Sequence, residues 1–175
     1  MKLLLTLLLA LASVTAGAAS REQIDAQVRE ALEEFRETTS AGHELSQKAI
    51  GVLVFPDVIK AGMGIGGEYG EGALLVGGET VAYYSLASAS IGFQLGAQKR
   101  SQIVLFMTQE SLDSFRNSDG WKAGVDGSVA LATLGAGGAI DTKTAKQPII
   151  GFIFSNKGLM YNLTFEGSKM TQIER

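Results

Sequence analysis

The sequence predicts an α+β domain with N-terminal helices packed on a curved, glycine-rich, mainly antiparallel β-sheet or barrel. Three observations predict it. Between Ser20 and Thr38 the apolar residues recur three and four apart, the helical period. From Gly51 onward, runs rich in Val, Ile, Tyr and Phe alternate with short glycine-containing joints, the pattern of neighbouring antiparallel strands. The 22 glycines fall largely in that second part, where bending strands and close layers would use them. At 175 residues the chain has room for one core and little more.

The chain begins with a lone cation, Lys2, an apolar run from Leu3 to about Val14, and the small residues Ala16-Gly17-Ala18. This order reads as a secretory signal over residues 1–19, cut after Ala18 or Ala19, since the run is too short to cross about 30 Å of hydrocarbon. The expected mature domain is 20–175, helical over 20–49 and β-rich over 50–175. Its expected location is a bacterial periplasm. With no cysteine, the acylated terminus of a lipoprotein, disulfides, thiol catalysis and zinc-thiolate sites are all ruled out.

In the first helix Ile24, Val28, Ala31, Leu32 and Phe35 share one face, and Ser20 followed by Gln23 fits a capping box. The other face holds three cations and six acids, a solvated surface. A second short helix is expected over Glu44 to Ala49. Strands are expected at Gly51 to Phe55, Met63 to Tyr69, Ala73 to Val76, Thr80 to Leu86, Ser90 to Ala97 and Gln102 to Met107. A small helix follows from Gln109 to Asn117, capped by Thr108. Gly124 to Ala139 returns to strand-like alternation. Ile149 to Ser155 and Leu159 to Phe165 read as a hairpin turning at Asn156-Lys157-Gly158. Gly62, Gly64 and Gly66 alternate, so one strand face there lacks side chains and something is expected to pack closely on it.

Net charge is −3, a poor balance for nucleic acid, whose binders neutralise phosphates with clustered cations. Gly62-Met-Gly-Ile-Gly-Gly67 satisfies G-x-G-x-x-G, but the segment after it cannot open the helix that would hold a pyrophosphate. His43 is the only histidine, and no second imidazole or thiolate is present for a metal or triad; neither metal nor cofactor is expected. S-x-x-K and G-x-S-x-G are absent. The acids Glu68 and Glu71, with Asp57, Glu79, Asp126 and Asp141, are the only pairs on which a carboxylate hydrolase could rest. No catalytic residue is assigned. Lys99-Arg100 and the slightly basic tail with Lys143, Lys146 and Lys157 are the candidates for an anionic lipid headgroup.

Several long stretches carry a family resemblance. They are Lys48-Ala-Ile-Gly-Val-Leu-Val-Phe-Pro-Asp-Val-Ile-Lys-Ala-Gly62, Gly64-Ile-Gly-Gly-Glu-Tyr-Gly-Glu-Gly72, Tyr83-Tyr-Ser and Ser90-Ile-Gly-Phe-Gln-Leu-Gly-Ala-Gln98. Gly120-Trp-Lys-Ala-Gly-Val-Asp-Gly127 and Gly151-Phe-Ile-Phe-Ser-Asn-Lys-Gly-Leu-Met-Tyr-Asn162 complete the set. From about Leu45 to its end the chain resembles the SYLF domain in its bacterial exported form. The resemblance implies a non-catalytic, lipid-binding module. Eukaryotic relatives bind phosphoinositides and, in some cases, actin filaments, using a basic amphipathic N-terminal helix. The corresponding helix here is net negative, and those ligands would not be met in a periplasm, so neither is carried over. The expected partner is phospholipid or a membrane surface, with an envelope protein as the alternative.

Overall fold

The computed structural model describes residues 19–133, 139–155, 158–160 and 163–175, with side chains throughout that set except at 63–65, 90–97 and 158–159. Two helices lead the chain, α1 (Arg21–Thr38) and α2 (Ser40–Lys48). The capping box is present at α1: the Gln23 N–H donates to Ser20 Oγ at 3.3 Å, and the Ser20 N–H to Gln23 Oε1 at 2.9 Å. Ile24, Val28, Ala31, Leu32 and Phe35 are all buried, as their spacing requires.

The β part differs from the sequence expectation in one instructive way. The six segments expected between Gly51 and Met107 join, three apiece, into two strands, β1 (Gly51–Val76) and β2 (Glu79–Phe106). They form one antiparallel hairpin of 26 and 28 residues, whose turn is Gly77-Gly78 with φ of 62° and 87°. Positive φ at both central residues is the requirement of a type I′ turn, which glycine meets without strain. The other glycines are not joints. Gly64 pairs with Gly92 and Gly62 with Gly96 inside the ladder, and the register shifts between Phe55 and Val58 and between Gly62 and Gly64. Such shifts bend a ribbon and let it continue.

Beyond β2 come α3 (Gln109–Arg116), capped by Thr108 as expected, β3 (Trp121–Lys122) and β4 (Ala130–Leu131). They are followed by α4 (Thr142–Ala145), β5 (Ile149–Ser155), β6 (Gly158–Leu159) and β7 (Lys169–Ile173). The alternation expected over Gly124 to Ala139 reduces to β4, with residues 134–138 outside the described set. The expected strand from Leu159 to Phe165 is two residues long, and its hairpin bend at 156–157 lies outside the described residues. β7 fell outside every expected element because only Met170 of its five residues is buried.

Among the described residues the strands form one sheet in the order β3-β7-β2-β5-β4, with β1 on β2 and β6 on β5. All pairings are antiparallel except β4 with β5. The sheet curls strongly into a half-barrel. Alternate residues feed two cores. On one face α1 packs against Val52, Val54, Ala73, Leu75, Ile103 and Leu105, and Phe35 meets Phe152 at 4.7 Å and Phe154 at 5.8 Å between ring centres. On the other, Leu53, Phe55, Leu74, Leu86 and Phe106 pack with Phe115 and Trp121. Each fully buried side chain of this size contributes about 1.5–3 kcal/mol, so both faces are needed to hold the curl.

Candidate functional site

The long hairpin is supported unequally along its length. On its far edge β2 pairs with β7 over Tyr83–Ala87 and with β5 over Ser101–Phe106, and between these, among the described residues, no third strand joins it. β1 also doubles back on itself. A Cβ on Gly72 would collide with the Val54 carbonyl, and one on Gly70 would lie 2.9 Å from the Asp57 carbonyl. Close packing on glycine is seen here at Gly70 and Gly72, whereas Gly62 and Gly66, where it was expected, are half-buried. The two halves of the hairpin meet there, and the stretch between them, residues 58–69 and 88–100, forms a bent ribbon.

Residues directly opposite in an antiparallel pair share a face. Ile59 opposes Lys99, Gly67 opposes Ala89 and Tyr69 opposes Ala87. All six are exposed, as is Ala61, and Ile59 and Tyr69 are each 52% exposed. This is the α1 side of the sheet, continued past the part that α1 covers. The opposite face of the ribbon carries most of its polar side chains, with Val58, Glu68 and Arg100 buried, Lys60 and Ser88 half-buried and Gln98 exposed. Val58 opposes Arg100, Lys60 opposes Gln98, and Glu68 opposes Ser88. Glu68 and Arg100, 32 residues apart, form an ion pair that ties the two halves together, with Lys60 Nζ 3.7 Å from the same carboxylate.

Lys99 is held at 2.7 Å by Asp57 and lines a cleft of about 400 Å³ between α1 and the sheet. The cleft is also lined by Gln27, Glu30, Glu34, Asp57, Arg100 and Ser101. Its three carboxylates, Glu30, Glu34 and Asp57, outnumber its two cations, Lys99 and Arg100. The cleft is thus a poor receptor for an anion.

Of the five predicted cations, Lys99 and Arg100 both line this cleft but pair with different acids, Asp57 and Glu68. Lys143 lies in α4 and Lys146 caps it, both exposed, and Lys157 lies outside the described residues. The Asp141 carboxylate caps α4, and its pKa is lowered chiefly by the Thr144 hydroxyl and then by the Lys143 N–H. The carboxylates considered for hydrolysis are each engaged separately. Glu68 has Arg100, Glu71 has Arg175 and the Tyr69 hydroxyl, Asp126 accepts the Lys122 N–H, and Glu79 is exposed beside the turn. Glu68, expected in a strand, and Glu71, expected between two strands, both stand inside β1. His43 is exposed on α2 against Gln47, and Gly62 to Gly67 lie in β1 with no helix after them. Lys60, Ile59 and Tyr69 were missed by sequence reasoning. The sequence Val58-Ile59-Lys60-Ala61 carries no alternation that would have marked them, and their placement follows only from the continuous strand β1.

A family model described as Ysc84, Las17-binding protein actin regulator, matches residues 87–175. The chain belongs to the Ysc84 family. The match agrees with the SYLF resemblance and begins inside β2, so α1, α2 and β1 lie ahead of the matched part. No curated protein matches the chain. The Ysc84 description speaks of binding and regulation and not of a reaction, in keeping with a binding module whose carboxylates are dispersed among arginines, turns and a helix cap.

Proposed function

We propose that the protein is an exported, non-catalytic module of the bacterial envelope that binds phospholipid or another amphiphile. The observation that carries this reading is the uncovered face of the bent ribbon. Ile59, Ala61, Tyr69, Ala87 and Ala89 lie exposed on it, and Lys99 stands directly beside Ile59. Exposed apolar side chains with a cation beside them suit the boundary between acyl chains and headgroups. The leader-like run at residues 1–19 supports export, and N-terminal sequencing of the periplasmic form should begin at Ala19 or Ser20.

Co-sedimentation of the purified protein with liposomes of neutral and of anionic phospholipids, at low and high salt, tests the reading. Binding that persists in high salt is expected, because apolar contact is not screened as exposed charge is. An Ile59→Ser, Tyr69→Ser variant should bind about tenfold more weakly, since even partial loss of the 1.5–3 kcal/mol per large apolar side chain reaches that factor. Absence of binding to every liposome would contradict the reading. The family's description names a protein partner, so an envelope protein is the second reading, and it would show as stable complexes indifferent to lipid.

A further inference from the structure

We infer that the polar face of the bent ribbon, at its buried Glu68–Arg100 pair, is a subsite for a single oxyanion, the phosphodiester or carboxylate of an amphiphile, held by Arg100 and Lys60 in competition with Glu68. The inference rests on the amphiphile-binding reading and adds to it a ligand charge and a location.

Three observations carry it. First, charge does not balance there. Arg100 and Lys60 both address the Glu68 carboxylate, so two cations meet one acid. Over 58–69 and 88–100 the sequence holds no other acid, and Lys99, on the opposite face, is taken by Asp57. Second, hydrogen bonding is incomplete. Arg100 is only 5% exposed, yet its Nε–H has no acceptor among the described residues. Gln102, two residues along the same strand and 1% exposed, has an Oε1 with no donor among the described residues. Buried polar groups are nearly always paired, and an orphan donor on a guanidinium asks for an acceptor, best a charged one. Third, the site has an entrance, because the Lys60 side chain is 30% exposed while its ammonium lies 3.7 Å from Glu68.

One uncompensated positive charge selects a monoanion over a polyphosphorylated headgroup, for which further cations would be needed. Gln102 Oε1 can accept a hydroxyl or water carried in with it. The two faces of the ribbon then divide the ligand, the exposed face meeting apolar surface and the polar face the charge.

The test measures binding of octanoate and of dihexanoylphosphatidylglycerol, each below its micellar concentration, by calorimetry and by the shift of the Arg100 Nε–H resonance. Wild-type protein should bind at least one of them and move that resonance; octanoate alone would assign a carboxylate, the phosphatidylglycerol alone a phosphodiester. Glu68→Gln removes the competing anion and should tighten binding about tenfold, while Lys60→Ala should weaken it by a similar factor. Since Glu68→Gln leaves a buried cation and could impair folding, the double variant Arg100→Met, Glu68→Leu provides a neutral replacement. It should fold and lose the soluble ligands while still sedimenting with liposomes through the apolar face. Undiminished ligand binding by the double variant, or weaker binding by folded Glu68→Gln, would overturn the subsite and leave the amphiphile reading intact. Failure of wild type to bind both liposomes and soluble ligands would remove the two together.

Discussion

Gly72 occupies a position where β1 approaches its own earlier half so closely that a methyl group would collide with the Val54 carbonyl. Backbone cannot yield as a side-chain tip can, so Gly72→Ala should destabilise by about 3 kcal/mol, seen as a lower urea midpoint. Gly67 is the control. Its Cβ would meet only the Ser88 carbonyl at 3.5 Å, and Gly67→Ala should stay within about 0.5 kcal/mol of wild type. Arg100→Met alone should cost about 3–5 kcal/mol, because it leaves the Glu68 carboxylate buried beside Lys60 only, whereas replacing both partners with apolar residues should be nearly neutral. Arg100 was legible from the sequence as a cation near apolar strands. That its charge is buried against Glu68 was not, because the two are far apart in the chain and meet only through the bend.

At the scale of elements, α1 was legible in full. Period, capping box and polar face all agree, and Ser20→Ala should cost about 1 kcal/mol by removing the acceptor of the Gln23 N–H. α3 was legible for the same reasons. The hairpin was only partly so. Glycine within an apolar run reads as a break, and the sequence does not say whether the chain reverses there or bends and goes on. Only Gly77-Gly78 reverses it, and replacing both with alanine should cost about 2–4 kcal/mol, since each must then hold positive φ. A loss below 1 kcal/mol in chemical denaturation would show that the turn does not set the register. Ile149–Ser155 was legible because six of its seven residues are buried on both faces. β7 was hidden because a strand with one buried residue carries no period.

For the whole molecule, the two cores and the ion pairs make stability depend on keeping neutral hydroxyls in place. Burial first, and hydrogen bonding to Glu71 and Asp25 second, raise Tyr69 and Tyr83, and burial raises Tyr84. An acid whose pKa is raised on folding ionises more readily in the unfolded chain. Stability is therefore held below the ordinary tyrosine value near 10 and lost as pH rises above it. Urea unfolding should show that fall above about pH 10, and Tyr84→Phe should reduce it, since Tyr84 is 3% exposed in the core. The α+β architecture and curved sheet were foreseeable from the change of period after Ala49, and membership of the Ysc84 family from the quoted motifs. The exposed ribbon face was not, since it depends on where α1 stops covering the sheet.

The measurement that bears most directly on the central claim is co-sedimentation of wild type and the Ile59→Ser, Tyr69→Ser variant with neutral and anionic liposomes across a salt series. Salt-resistant binding by wild type that drops about tenfold in the variant is the predicted result. Equal behaviour of the two proteins, or no binding by either, would contradict a role for the bent ribbon in holding lipid.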